Sequence, residues 1–136
     1  MLSNILIEEI YLKGQENISI KETDMFHEAL EVLNKNHWGA VYITDNKKLI
    51  GLFTDGDARR VFTSNQAPIA MLNSQPISKY MTKAPISLSP KTSVQDAIEL
   101  FNDKLILVAP IVDDSHNLLG VIHLQHLTKA ILKLIK

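Results

Sequence analysis

Ten consecutive residues, Gly51-Leu52-Phe53-Thr54-Asp55-Gly56-Asp57-Ala58-Arg59-Arg60, gather the side chains best suited to holding a ligand. The apolar run before them reads as a strand ending at Phe53, and a helix begins near Asp55 or Gly56. The first turn of a helix carries unpaired N–H groups and a partial positive charge, which suits a phosphate. Thr54 offers a hydroxyl to a phosphate or sugar oxygen. Asp57 offers a carboxylate that accepts two hydroxyl hydrogens, as a vicinal diol presents them. Gly56 lets the backbone approach a ligand, and Arg60 reaches a phosphate from the first helical turn. The same residues also make an ordinary helix start, with Thr54 or Asp55 as the cap, Asp57 favouring the dipole and the arginines solvated. Asp55 and Asp57 stand two residues apart and point in different directions, so they do not form an acid–base pair.

A second stretch, Gly120-Val121-Ile122-His123-Leu124-Gln125-His126, has the same outline with different chemistry. His123 and His126 stand where Thr54 and Asp57 stand in the first. Their i, i+3 spacing suits two metal ligands, but no Glu, Asp or third His lies nearby in the helix and no HExxH pattern is present. His123 is therefore read as facing the cleft, where it could hydrogen-bond a ligand, and His126 as a half-exposed helix residue. The chain contains no cysteine, so disulfide, thiolate and thiolate–metal chemistry are excluded. It also lacks GxSxG and P-loop patterns, so no catalytic residue is assigned.

Lys plus Arg is 14 and Asp plus Glu is 15, for a net charge of −1. That balance argues against a basic nucleic-acid-binding surface. No apolar run is long enough to span a membrane, and Glu8 and Glu9 interrupt the apolar start, which does not resemble a signal peptide. The expectation is a cytoplasmic globular chain. With aromatics at 6%, the core is expected to be aliphatic.

The elements that position the two stretches repeat. At an offset of 68, Phe26, Ala29, Leu30 and Leu33 fall on Val94, Ala97, Ile98 and Phe101. Both sets have the i, i+3, i+4, i+7 spacing of one buried helix face. Ile43 and Asp45 fall on Ile111 and Asp113, and one inserted residue then moves the offset to 69 for Leu49 and Gly51 against Leu118 and Gly120. Each copy reads β-α-β-β-α. The first has strands at Ile18 to Ile20, Ala40 to Thr44 and Leu49 to Phe53, with helices capped by Thr23 or Asp24 and running from Asp55 to Thr63. The second has strands at Ile86 to Leu88, Leu107 to Val112 and Leu118 to Ile122, with helices capped by Thr92 or Ser93 and running from Leu124 to Ile135. The expected organisation is a leading helix and entry segment at 1–16, a first repeat at 17–64, a connecting segment at 65–84 with a helical turn at Ile77 to Met81, and a second repeat at 85–136. Two such units bury their sheet faces by pairing about a pseudo-twofold axis.

These features resemble a tandem pair of CBS domains, the Bateman module, of mixed α and β class. Ala109-Pro110-Ile111-Val112-Asp113 followed by Leu118-Leu119-Gly120-Val121-Ile122 is similar to the family's PVVD…LVGII core. Tyr80-Met81-Thr82-Lys83-Ala84-Pro85-Ile86 is similar to its VMTKNPI entry. The stretch from Gly51 to Arg60 resembles GIFTDGDLRR of arabinose 5-phosphate isomerases of the KpsF/GutQ type. Gly120 to Leu124 and Leu12-Lys13-Gly14 also resemble that group. Those enzymes carry a sugar isomerase (SIS) domain before a CBS pair, so the chain looks like the regulatory half.

The resemblance implies that Thr54 and Asp57 take the phosphate and ribose of a nucleotide, with the base in an apolar slot near Ile18 and Ala40 to Tyr42. His126 replaces the aspartate of the family's HLHDL, which implies one competent site per chain, with His123 and Lys83 as accessory candidates. It implies a non-catalytic sensor that requires no cofactor. An adenine nucleotide or a CMP-sugar would be its effector, and a homodimer its assembly. The alternatives are a ligand-free dimerisation element and the regulatory pair of a sugar-phosphate nucleotidyltransferase.

Overall fold

The computed structural model describes residues 1–64 and 67–135. Asn65 and Gln66, at the start of the expected connecting segment, and Lys136 lie outside the described residues. In chain order the elements are β1 (Leu12–Lys13), β2 (Ser19–Lys21), α1 (Phe26–Lys35), β3 (Ala40–Asp45), β4 (Lys48–Thr54), α2 (Asp55–Ser64), α3 (Ile69–Asn73), β5 (Thr82–Lys83), α4 (Val94–Lys104), β6 (Val108–Val112), β7 (Leu118–His123) and α5 (Leu124–Ile135). Single 3-10 turns stand at Leu2–Asn4, Ile7–Glu9 and Ile77–Lys79. The chain divides into two compact units, one made of Gln15–Pro85 and the other of Met1–Gly14 with Ile86–Lys136.

The Gln15–Pro85 unit holds a four-stranded sheet in the order β2-β3-β4-β5. β2 runs parallel to β3, and the other pairs are antiparallel. The turn between β3 and β4 places Asn46 and Lys47 at φ 50° and 71°, the double positive φ of a tight hairpin turn. Val41, Ile43 and Phe53 face α1 and α2 in a core with Phe26, Ala29, Ala58, Val61, Leu72 and Ile77. This core is more aromatic than the composition suggests. Phe26 meets Phe53, Phe62 and Tyr80 edge-on at centroid separations of 5.6, 5.7 and 5.2 Å, a preferred geometry for aromatic pairs.

The other unit holds a three-stranded sheet in the order β1-β7-β6, with both pairs antiparallel. Its core is the expected aliphatic one, built from Ile7, Leu88, Val94, Ala97, Ile111, Ile122 and Leu127 around Phe101. The turn between β6 and β7, 113–117, is longer, and from Asp113 to Leu118 the chain holds one residue more than from Asp45 to Leu49. Asp113 Oδ1 accepts from the backbone N–H groups of Ser115 and Asn117, both at 2.9 Å, and His116 takes φ 67°. That loop is the inserted residue that moves the repeat offset from 68 to 69.

The expected leading helix is instead two 3-10 turns followed by β1. Ile7–Glu9 and β1 have counterparts 70 residues later in Ile77–Lys79 and β5, and each entry strand joins the sheet of the other repeat. β1 pairs with β7, Leu12 opposite Val121 and Lys13 opposite Gly120. β5 pairs with β4, Lys83 opposite Gly51 and Thr82 opposite Leu52. The glycines at the crossings are buried. A Cβ at Gly51 would run into the Met81 thioether, and one at Gly120 into the Leu12 backbone oxygen.

The entry segments also correct the expected cap of α1. Thr23 and Asp24 do not cap it. Met25 occupies the cap position without a side-chain bond, and Asp24 Oδ2 accepts from Lys21 N at 2.9 Å. Phe26 N donates to Gln75 O, and Ile77 N to Asp24 O, both at 2.8 Å. The incoming segment thus satisfies a helix-start donor that a cap would otherwise serve. The second repeat keeps both devices. Val94 N donates to Ile5 O at 2.7 Å, and Ser93 Oγ accepts from Asp96 N at 3.0 Å. The expected strand at Ile86 to Leu88 reduces to one parallel bridge between Leu88 and Ile111.

Candidate functional site

The β4–α2 turn is a reciprocal cap. Thr54, the last residue of β4, accepts at Oγ1 from Asp57 N at 3.1 Å. Asp57 Oδ2 accepts from Thr54 N at 2.9 Å. Two donors left over at the strand–helix junction are thereby satisfied, the arrangement of a capping box. The cap leaves the Thr54 hydroxyl hydrogen and Asp57 Oδ1 uncommitted by these two bonds. Asp57 Oδ1 is paired with the Arg60 guanidinium. Asp55 turns the other way: its N–H donates to Gly39 O at 3.1 Å. Its carboxylate lies against Gly39, which holds φ 74° and would bring a Cβ to 3.1 Å from Asp55 Oδ2. The capping reading is therefore realised, and the side chains of Thr54, Asp57 and Arg60 are gathered at one turn.

Gly56 sits at the centre of that turn. A Cβ there would lie 3.6 Å from Thr54 Oγ1 and 3.6 and 3.8 Å from the two terminal nitrogens of Arg60. The space beside Gly56 is thus bounded by a hydroxyl and a guanidinium, two groups that suit a phosphate oxygen.

The expected base-slot residues lie on the strands next to Thr54. Ala40 stands opposite Thr54 in the β3–β4 register, and Ile18 O accepts from Tyr42 N at 2.7 Å. Ile18, Ala40 and Tyr42 are 2%, 1% and 1% exposed, so none presents surface to solvent. The Tyr42 hydroxyl is buried without a hydrogen-bond partner among the described residues, and burial pushes the phenol pKa well above its usual range. Lys83 is exposed opposite Gly51, three residues along β4 from Thr54, about 10 Å at the usual strand rise. It does not sit beside the turn.

The matching β7–α5 turn lies in the other unit and is capped by imidazoles. His126 Nδ1 accepts from His123 N at 2.9 Å, the bond that Asp57 makes to Thr54. His123 Nδ1 accepts from Gln125 N at 3.0 Å. Both rings spend the Nδ1 lone pair on backbone, which places the proton of the neutral ring on Nε2. Burial lowers the pKa of His123. Burial first, then His123 and Lys129, lowers that of His126. His126 is therefore a capping residue rather than a bystander on the helix. Its alignment with Asp57 at offset 69 is the signal that points to this role. Among the described residues no group of three or more His, Cys, Asp or Glu is placed to hold a metal, and no helix is long and apolar enough to cross a membrane.

Comparison with known proteins places these features in a family. Curated relatives include arabinose 5-phosphate isomerase KdsD of Francisella tularensis, 35% identical over 90% of this chain and 36% of the relative. KdsD of Escherichia coli K12 is 34% identical over 91% of this chain and 37% of the relative. The chain thus spans about a third of the length of these relatives. Among solved structures, CBSX2 of Arabidopsis thaliana in complex with AMP superposes with a TM-score of 0.83 at 21% identity, covering 98% of this chain and all of that one. The CBS domain pair of protein MJ0100, solved with 5′-methylthioadenosine and S-adenosyl-L-methionine, gives 0.77 at 21% identity over 93% and 94% of the two chains. The CBS domain profile matches residues 7–64 and 77–133, so each match takes in an entry segment with the repeat that follows it, and the chain belongs to the CBS domain family as a tandem pair.

Proposed function

We propose that the chain is a non-catalytic regulatory module that binds a nucleotide at the β4–α2 turn and reports it to a sugar-phosphate isomerase (SIS) domain of the kind its longer relatives represent. One observation carries this reading: Thr54, Asp57 and Arg60 converge around the side-chain-free position of Gly56. Asp57 is the acceptor for ribose hydroxyls, and the Thr54 hydroxyl and Arg60 take the phosphate. Ile18, Ala40 and Tyr42 are the apolar surface for the base, which they expose only if their cover moves. The AMP complex of CBSX2 supports an adenine nucleotide, whereas the ligands of the MJ0100 pair carry no phosphate and support the adenosine part alone. The kinship with arabinose 5-phosphate isomerases supports a CMP-sugar formed downstream of that reaction.

Calorimetric titration with AMP, ATP and CMP-Kdo tests the site. Asp57→Asn keeps an oxygen for the Thr54 cap but removes the charge, so it should weaken the bound nucleotide at least tenfold. Equal binding to both proteins, or to neither, refutes the site. A second reading, self-association, is favoured by Leu124, Leu132, Leu134 and Ile135, all exposed along α5. Sedimentation showing a stable homodimer that nucleotide does not alter would support it.

A further inference from the structure

We propose that Arg60 is a specificity switch that makes the phosphate obligatory for binding at the β4–α2 turn. This rests on the nucleotide reading given above and names what that site selects. Both carboxylate oxygens of Asp57 are engaged, Oδ2 by the backbone of Thr54 and Oδ1 by Arg60. A ligand diol that donates to Asp57 therefore meets an oxygen already held by a cation. The Asp57 side chain is 14% exposed and that of Arg60 is 70% exposed, so the carboxylate is fixed by the cap while the arginine is free to move. An ion pair with one solvated partner is weak and exchanges partners readily.

The side chain of Arg60 already borders the space beside Gly56, as does the Thr54 hydroxyl. A phosphorylated ligand supplies the anion that Arg60 needs when it leaves Asp57. A nucleoside competes with the arginine for that oxygen and supplies no anion in return. The β7–α5 turn has different chemistry at the matching positions. Its acceptor is the neutral imidazole of His126, and the residue aligned with Arg60 is Lys129.

Titrations of AMP against adenosine, and of CMP against cytidine, test this without presuming the base. Wild type should bind the nucleotide at least tenfold more tightly than its nucleoside. In Arg60→Ala the two should come within about threefold, the nucleotide losing about tenfold while the nucleoside gains slightly. The urea midpoint of this variant should match wild type, because the side chain is largely solvated. A nucleotide-to-nucleoside ratio that Arg60→Ala leaves unchanged overturns the switch alone, provided Asp57→Asn still weakens binding of both ligands. A wild type that binds none of the four overturns the site and the switch together.

Discussion

Replacing Tyr42 by phenylalanine should make the protein more stable. Tyr42 is 1% exposed and its hydroxyl has no hydrogen-bond partner among the described residues. Folding therefore strips water from that hydroxyl without compensation, at a cost of about 1–3 kcal/mol. Removing the oxygen leaves a hydroxyl-sized void, which costs a few tenths of a kcal/mol at about 24 cal/mol per Å³. The net expectation is a gain of roughly 1–2 kcal/mol, or about 3–8 °C in melting temperature for a chain of this size. Urea unfolding followed by circular dichroism measures it, with an unchanged m-value showing that the denatured state is unaltered. A variant less stable than wild type by 0.5 kcal/mol or more would refute the reasoning, because the hydroxyl would then have a partner in the native protein. The strand sequence places a tyrosine where phenylalanine would serve packing as well or better. Nucleotide affinity measured on the same variant shows whether the hydroxyl is kept for the ligand.

Two more perturbations probe the caps and the crossings. The folded-state pKa values of His123 and His126 lie below the ordinary imidazole value, so folding favours the neutral rings. Their contribution is complete above about pH 6.5 and is lost as pH falls through the lowered pKa values. His126→Asp replaces the neutral acceptor with the carboxylate used at Asp57. Unfolding free energies from urea titration should lie within about 1 kcal/mol of wild type at pH 7 and fall less between pH 6.5 and 5; an equal fall removes His126 from the acid sensitivity. Gly120→Ala should cost about 3 kcal/mol or more, above the usual range for overpacking, because its methyl meets the backbone oxygen of Leu12. Gly51→Ala should cost less, because the flexible Met81 side chain can turn away; equal melting temperatures for the two variants would contradict this.

The parts legible in the sequence are those in which local pattern and packing agree. The helix faces of Phe26, Ala29, Leu30 and Leu33 and of Val94, Ala97, Ile98 and Phe101 each turn toward a core because their spacing is helical. The offset change from 68 to 69 is a physical object, the longer β6–β7 turn. The entry segments were not legible as a repeat. A single 3-10 turn has no 3.6-residue period, and a two-residue strand has no alternation. Their pairing partners lie over a hundred residues away for β1 and about thirty for β5. The same nonlocal bonds made a side-chain cap at Thr23 or Asp24 unnecessary. At the candidate site, Thr54, Asp57 and Arg60 could be gathered from spacing alone, since they share one turn. The pairing of Arg60 with Asp57 and the orphan hydroxyl of Tyr42 depend on side-chain placement, which no spacing encodes. The role of His126 was encoded, but only through its alignment with Asp57.

Because each entry strand completes the sheet of the other repeat, the chain cannot be assembled strictly in the order of its synthesis. The Gln15–Pro85 unit is contiguous and can close once Pro85 has emerged. Met1–Gly14 belongs to the unit that ends at Lys136, and β1 has no partner until β7 exists. From Gly14 to His123 the chain grows by 109 residues, roughly 5–20 s of translation. During that interval Ile5, Ile7, Ile10 and Tyr11 have no core to enter. An N-terminal fusion or a bound chaperone would therefore act first on the folding of the second repeat, the one farthest from it in sequence.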